Sequence, residues 1–182
     1  MPFVDVEQLV FQFDDAMNAE KYDDWAHYQE ILSRAPLNYK AVDVVAIQSQ
    51  DQPEVKWLIE AKDFRLAQAA HPPKPSNISG LPNYVYEKSR DTILGLQHAA
   101  ANAADPKEAE FSQQSLTASS TRIVLHLEPY GGQLTTLFPR NFTASVLQRL
   151  KQIAGPIDAN PLVLNMENTP RAAVPWTVNS AP

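Results

Sequence analysis

The 182-residue chain contains no cysteine, so disulfide frameworks, cysteine zinc sites and thiol nucleophiles are excluded. It also contains no run of about 18 apolar residues, the length that a membrane-spanning helix needs. The first residues, Met-Pro-Phe-Val-Asp, lack the basic start of an export signal. These absences together lead us to expect a cytoplasmic protein.

Positive charge is scarce, since 15 lysines and arginines stand against 21 aspartates and glutamates, for a net charge of −6. The deficit is concentrated in residues 1–40, which hold eight acidic and three basic side chains. Phosphate neutralisation supplies most non-specific affinity for nucleic acid, so contact with DNA or RNA needs a recessed basic groove, a homodimer or a protein partner. With 44% hydrophobic and 20% charged residues, the composition is that of one ordinary globular domain.

The clearest local pattern is a pair of apolar runs at residues 40–48 and 55–64, which are separated by the polar sequence SQDQPE. This pattern predicts a β-hairpin. A Pro-containing loop at 67–83 follows, and the Ala-rich residues 84–104 then predict a helix that Asp105-Pro106 ends.

The start of the chain fits two patterns. Within residues 4–20, Val6, Val10 and Phe13 recur at helical spacing, whereas Leu9, Phe11 and Phe13 alternate as they do in a strand. We favour a helix over this stretch, followed by a short strand at 28–32.

The second half of the chain completes an α/β pattern. Its predicted elements are a polar connection at 105–121, a buried strand at 122–130, an amphipathic helix at 142–154 and a short strand at 161–167. The element order predicts a mixed central sheet with flanking helices in one domain, residues 1–168. Residues 169–182 form a Pro-rich C-terminal tail, which we expect to be extended or disordered unless Trp176 docks.

Three charged residues of the hairpin form a candidate site. Glu60 and Lys62 lie two positions apart and therefore on one face of the second strand. If the turn centres on Asp51-Gln52, Asp43 lies opposite Glu60, with Cβ atoms roughly 4.5 to 5.5 Å apart. Two carboxylates that close repel each other unless they share a cation, and Mg²⁺ suits oxygen ligands. With Lys62 to orient or deprotonate water and to neutralise phosphate charge, the set predicts metal-assisted phosphodiester hydrolysis.

The same residues also fit an ordinary surface ion pair on the solvent face of a hairpin. A one-residue slip of register would send Asp43 to the other face and dissolve the site. Against the surface interpretation, Glu60 and Lys62 lie between the apolar sequences WLI and DF, where burial is expected and charges are costly.

Asp43, then Glu60-Ala61-Lys62 in the second strand of a hairpin, then a helix, resembles the D…(D/E)-x-K core of the PD-(D/E)XK nuclease superfamily. The resemblance covers residues 4–130 and implies a restriction-endonuclease-like order of helix, hairpin strands, helix, strand and helix. It implies Asp43, Glu60 and the Ala61 carbonyl as ligands of Mg²⁺ or Mn²⁺, and Lys62 as the catalytic lysine. Within the superfamily, the segments KAVDVVA, IEAKDFR and KSRDTILGL are similar to uncharacterised bacterial proteins, from which no function carries over.

The chain departs from the superfamily pattern at several positions. Val42 stands where many members have proline before the aspartate. Many members also use a glutamate from the first helix, for which Glu20 is the best-spaced candidate, with Glu7 and Asp24 as rivals. The Gln-x-x-x-Tyr motif of the RecB-like branch is absent, because the residue four positions after Gln97 is alanine.

Basic residues near the start of the 84–104 helix are candidates for substrate contact. Lys88 and Arg90, with Arg65 and Lys74 before them, would form a phosphate-contacting edge. The alternative is that they pair with Glu87 and Asp91 on a solvated helix face. Tyr84 and Tyr86 would either stack on bases or pack against the core. His71 would either lie in a mobile loop near the metal or be simply exposed, and His126 is expected to be a hydrogen-bonded core residue.

Two functions follow. The leading hypothesis is a Mg²⁺-dependent nuclease that cleaves DNA, with RNA or a smaller phosphoester as other substrates. The alternative is a non-catalytic restriction-endonuclease-like fold that serves as a protein-binding or assembly module. The acidic character of residues 1–40 supports this alternative, because it suits contact with a protein.

Overall fold

The computed structural model describes residues 1–36, 38–48, 54–65, 79–129 and 141–182. Within these ranges the chain is a mixed α/β fold with two sheets, so the α/β class that the sequence predicts is confirmed. Its strands are β1 (Phe3–Val6), β2 (Leu9–Phe13), β3 (Met17–Lys21), β4 (Val44–Gln48), β5 (Val55–Asp63), β6 (Ser120–Glu128), β7 (Leu162–Leu164) and β8 (Trp176–Ser180). Its long helices are α1 (Leu81–Asn102), α2 (Pro106–Thr117) and α3 (Phe142–Ala154). None of these helices is both long and apolar enough to cross a membrane.

The start of the chain is three strands, so the predicted helix at 4–20 is wrong. Strand alternation wins over helical spacing because Leu9, Phe11 and Phe13 are all fully buried on one face of β2. Strands β1 and β2 are an antiparallel pair, and Glu7 takes a positive φ of 54° in the turn between them. The predicted strand at 28–32 is also wrong, because Tyr28–Leu32 forms a π-helical turn after a 3₁₀ helix at Tyr22–Asp24.

The central sheet has the strand order β3-β4-β5-β6-β7. Strands β3, β4 and β5 are antiparallel neighbours, whereas β5, β6 and β7 run parallel. In the predicted hairpin, Val45 pairs with Leu58 and Val44 pairs with Ile59, as the sequence indicates, although the turn itself lies outside the described residues. Asp43, one residue before β4, therefore comes next to the Glu60 position.

The two faces of the central sheet pack against different layers. One face, with Val44, Ala46 and Ile59, packs on the smaller β1-β2-β8 sheet. The other face, with Val45 and Leu58, packs on the helices. Since side chains alternate along a strand, Glu60 and Lys62 share the helix face with Leu58.

The C-terminal residues are part of this packing. Strand β8 pairs with β2 in antiparallel fashion, and Trp176 is buried with its ring 5.8 Å from Phe13 and 5.0 Å from Trp57. Trp176 therefore docks, which is the condition under which residues 169–182 were expected to be ordered.

The predicted helices at 84–104 and 142–154 are confirmed, since α1 and α3 occupy them. The polar connection expected at 105–121 is wrong over most of its length, because it forms α2. The start signal for α2 is local: the Asp105 side chain accepts a hydrogen bond from the Lys107 N–H, and Pro106 follows it. Helix α2 lacks a wide apolar stripe, which is why periodicity alone does not reveal it.

Candidate functional site

Asp43 is held by two backbone N–H groups, one at its side chain and one at its carbonyl. Its Oδ2 accepts a hydrogen bond of 2.7 Å from the Ala61 N–H, and its carbonyl accepts one of 2.9 Å from the Tyr22 N–H. The residue is only 6% exposed. Asp43 is thus tied to β5 one residue beyond Glu60, as the hairpin register requires.

Glu60 is fully buried beneath two lysines. The Lys88 ammonium, from α1, donates to Oε1 and Oε2 at 2.8 Å each, and the Lys62 ammonium lies 2.8 Å from Oε1. Burial and the nearby Asp43 raise the pKa of Glu60 to about 7, although both lysines act in the opposite direction. The predicted trio of Asp43, Glu60 and Lys62 therefore converges, with Lys88 added to it.

The two lysines lie in different places, but the pKa of each is raised, which favours the charged form. Burial alone would lower the pKa of Lys62 and of Lys88, but Glu60 and Asp43 outweigh burial and raise both. An ammonium with a raised pKa is a poor general base at neutral pH. The geometry therefore favours Lys62 as a group that orients water and neutralises charge, rather than one that removes a proton.

An open cavity of about 480 Å³ adjoins the trio, lined by Lys62, Phe64, Gly80, Leu81, Asn83, Tyr84 and Glu87. Lys62 is the member of the trio that reaches this cavity, and its side chain is 23% exposed. The Tyr84 ring is contacted by three ammonium groups, with Lys40, Lys62 and Lys88 at 5.3, 5.9 and 5.0 Å from its centre. Each of these lysines is also paired with a carboxylate, Lys40 with Glu87 and the other two with Glu60, so the three ammonium groups do not give this region a net positive charge.

The predicted substrate contacts separate in the structure. Lys88 lies in the carboxylate site, whereas Arg90 is exposed and donates to Asp91 at 2.8 and 3.0 Å. Arg65 pairs with Asp63 at 2.6 Å. Arg90 therefore has one of the two partners that the helix-face interpretation named, whereas Arg65 pairs with an acid that it did not name. Lys74 and His71 lie outside the described residues.

None of the acids predicted from a first helix is bonded to the trio. Glu20 lies on β3 beside the charges of Lys107, Asp105 and Glu108. The Glu7 side chain accepts a hydrogen bond from the Asp63 N–H, and Asp24 pairs with Lys21 at 3.0 Å. The three candidates depended on a first helix that the chain does not form.

Asp23 is the acid that sequence reasoning missed. Burial and the charge of Asp43 raise the pKa of Asp23 to about 6, and Lys88 is near enough to lower it. Within the described residues, its Oδ1 atom is buried without a hydrogen-bond partner. The Asp23-Asp24 pair was visible in the sequence, but only the structure shows that an Asp23 oxygen is buried whereas Asp24 is exposed.

The donor set fits a divalent cation in its chemistry. Asp43 and Glu60 offer carboxylate oxygens, the ligands that Mg²⁺ and Mn²⁺ prefer, and Asp23 is near enough to Asp43 for their charges to interact. The described residues contain no cluster of three or more histidine, aspartate or glutamate side chains arranged around one point. A metal here would therefore rest on two side-chain carboxylates.

The structure shows the surroundings of His126, Tyr86 and Tyr84. His126 is fully buried, and its Nε2 lies 2.9 Å from Glu128 Oε1, so the predicted hydrogen-bonded core position is confirmed. Tyr86 packs against the cluster between β6 and α3. Tyr84, by contrast, is 36% exposed at the cavity.

Comparison with known proteins adds one similarity. No family model and no solved structure matches the chain. Among curated proteins, it is similar to the cysteine–tRNA ligase of Neisseria meningitidis serogroup A / serotype 4A, with 26% identity over 215 aligned positions. The match covers 99% of this chain and 30% of the ligase, so the chain spans less than a third of that protein's length.

Proposed function

We propose that the chain hydrolyses phosphodiester bonds of nucleic acid with a divalent cation, in a restriction-endonuclease-like fold. The observation that carries the proposal is the convergence of Asp43, Glu60 and Lys62 beside an open cavity. The order β4, β5, α1, β6, with β5 between β4 and β6, supports the same fold proposal.

Asp43 and Glu60 would hold Mg²⁺ or Mn²⁺, with the Ala61 carbonyl as the further ligand that the superfamily resemblance implies. Such an ion, when bound, polarises a phosphoryl oxygen and supplies an activated water. Lys62 borders the cavity and stays charged, so it would donate to a phosphate oxygen and offset charge that develops there. The half-exposed Tyr84 ring would stack on a base next to the scissile phosphate.

The substrate is proposed to be DNA, with RNA as a second substrate to be tested. The net charge of −6 requires that local groups such as Lys62, rather than the overall field, attract the phosphate backbone. The similar Neisseria protein is named for a reaction with tRNA, which is why RNA belongs in the test.

A cleavage assay tests the proposal. Supercoiled plasmid, single-stranded DNA and RNA are incubated with the chain in Mg²⁺, in Mn²⁺ and in EDTA, and the rate of strand scission is measured. We expect metal-dependent cleavage that falls by about a hundredfold or more in Asp43→Asn and Lys62→Ala. Asp15→Asn and Lys151→Ala, which change exposed residues outside the site, serve as matched controls. Cleavage that persists unchanged in both site variants would overturn the proposal.

A second candidate function is a binding or assembly module without catalysis. The observation that favours it is that both carboxylates of the site are buried and already bonded: Glu60 to two lysines, and Asp43 to the Ala61 N–H and Lys88. On the acidic front half, a depression of about 370 Å³ is lined by Phe3, Val4, Asp5, Ala19, Glu20, Lys21 and Asp24. Phe3 is 69% exposed there, so this surface suits a partner with basic and apolar side chains. Absence of cleavage for every substrate and metal would favour this candidate.

A further inference from the structure

We propose that the Lys88 ammonium is a resident cation of the Asp43–Glu60 pair, so that a divalent ion enters the site only by displacing it. The inference rests on the proposed function for the place of the metal, and it adds a built-in restraint on metal binding. Lys62 does not share this role, because among the described carboxylates of the pair it is bonded to Glu60 and not to Asp43, and because it reaches the cavity.

The position of the ammonium carries the argument. Lys88 Nζ lies 2.8 Å from both oxygens of Glu60 and 3.5 Å from Asp43 Oδ1, so it bridges the two carboxylates. A cation shared by two carboxylates would occupy the same region between them. Because Lys88 is itself only 8% exposed, the bridge is covered by protein rather than by solvent.

Helix α1 is fixed in the register that delivers this ammonium. Thr92, one turn after Lys88 and on the same helix face, accepts a hydrogen bond of 3.0 Å at Oγ1 from the Val42 N–H. Asp91 likewise accepts one of 3.0 Å from the Lys40 N–H. Both bonds join α1 to the segment that carries Asp43, so the bridge is part of the helix-to-strand packing.

Charge balance explains why the bridge restrains metal binding. When Glu60 is ionised, Asp43 and Glu60 contribute two negative charges, and Lys62 and Lys88 contribute two positive ones. A divalent ion that joined this set would meet two ammonium groups at short range, where like charges repel strongly in a buried site. Removal or movement of Lys88 leaves a net negative charge that suits the metal.

Mn²⁺ binding to Lys88→Met tests this directly. Calorimetry and the electron paramagnetic resonance of free Mn²⁺ give the affinity of the wild type and of the variant. We expect Lys88→Met to bind Mn²⁺ roughly tenfold or more tightly than the wild type. Lys40→Met is the matched control, because Lys40 contacts the same Tyr84 ring but pairs with Glu87 instead of the carboxylate pair. Equal or weaker binding by a folded Lys88→Met would overturn the inference.

A second measurement uses the wild-type chain, in case Lys88→Met does not fold. Acetylation of lysines by an N-hydroxysuccinimide ester, read by peptide mass spectrometry, reports the access of each ammonium to solvent. We expect Lys88 to be protected in EDTA and to become several-fold more reactive as Mn²⁺ is added, with Lys40 unchanged. No rise in Lys88 labelling up to the highest Mn²⁺ concentration would overturn the inference.

The two proposals fail separately. Tighter Mn²⁺ binding by Lys88→Met without cleavage of any substrate would leave the resident cation standing and remove the nuclease. Metal-dependent cleavage by the wild type, with no gain of Mn²⁺ binding in folded Lys88→Met, would leave the nuclease standing and remove the resident cation.

Discussion

Glu60 is the residue on which the site depends most. It is fully buried, is bonded to both lysines, and ionises with a pKa of about 7 because burial opposes its charge. Its neighbour Asp43 is held in place by the Ala61 N–H and not by a charged partner alone. The hairpin backbone therefore fixes the position of Asp43 independently of the charges around it.

The pKa of Glu60 predicts how stability varies with pH. Because the folded-state pKa lies above the ordinary value of 4.5, the folded chain holds this proton more tightly than the unfolded chain does. The stability from that proton is complete below pH 4.5 and is lost as the pH rises through about 7, at a cost of at most about 3 kcal/mol.

Urea unfolding measured from pH 4.5 to pH 8 checks this sign. The wild type should lose stability with rising pH more steeply than Glu60→Gln, which cannot titrate there. The raised pKa values of Lys62 and Lys88 affect only alkaline pH, so they do not disturb the comparison. Identical slopes for the two proteins would contradict the assignment to Glu60.

Asp23 supplies a second prediction at this scale. Since its charge is coupled to Asp43 and Lys88, Asp23→Asn should weaken Mn²⁺ binding several-fold. Asp24→Asn is the matched control, because Asp24 is 58% exposed and pairs with Lys21. Calorimetry on both variants measures the difference, and equal affinities would show that Asp23 stands outside the site.

At the scale of elements, the site is the meeting of a hairpin and a helix. The hairpin was predictable because two apolar runs flank a polar turn, and the observed pairing agrees with the register that follows from a turn centred on Asp51-Gln52. Helix α1 was predictable from its Ala-rich stripe. The role of Lys88 was not, because sequence spacing does not reveal how far a helix sits along the strand it covers.

The start of the chain shows where local patterns fail. Residues 3–21 carry apolar positions that satisfy both periods, and the choice between them is made by β8, more than 160 residues away in the sequence, which pairs with β2. No local pattern contains that information. Without that helix, Glu20, Glu7 and Asp24 lose the reason for which they were predicted, and Asp23 is the acid whose charge interacts with Asp43.

The contact of α1 with the 3₁₀ helix Tyr22–Asp24 gives a prediction about packing. A Cβ at Gly95 would overlap the buried Tyr22 hydroxyl and come within 2.9 Å of Leu32 Cδ1. We expect Gly95→Ala to cost about 1 to 3 kcal/mol of stability. In Gly155→Ala the nearest atom would be 3.9 Å away, so thermal unfolding should show little change for this control. An equal loss of stability in Gly95→Ala and Gly155→Ala would contradict the close contact of Gly95 with Tyr22.

At the scale of the whole molecule, a small sheet, a central sheet and a helix layer are joined by residues far apart in sequence. Trp176 packs between the two sheets against Phe13 and Trp57. The C-terminal residues therefore stabilise the same sheet whose other face carries the site. From the sequence, order in residues 169–182 was expected only if Trp176 docks, because one tryptophan in a Pro-rich stretch does not show what it packs against.

Trp176→Ala tests that dependence. Loss of a buried tryptophan typically costs about 3 to 5 kcal/mol, and denaturant unfolding should show a loss of this size. Thr177→Ala, at the next and exposed position of β8, should change stability by less than about 0.5 kcal/mol. A tryptophan variant as stable as the threonine variant would show that residues 169–182 contribute little to the fold.

The rate of plasmid relaxation in Mn²⁺ by Glu60→Gln tests most directly whether two carboxylates and a lysine act together on a phosphodiester. The exchange keeps the shape of the buried side chain and removes its charge, and Glu110→Gln on the exposed side of α2 is the matched control. We expect Glu60→Gln to lose cleavage while Glu110→Gln cleaves like the wild type. Wild-type cleavage by folded Glu60→Gln would contradict the account.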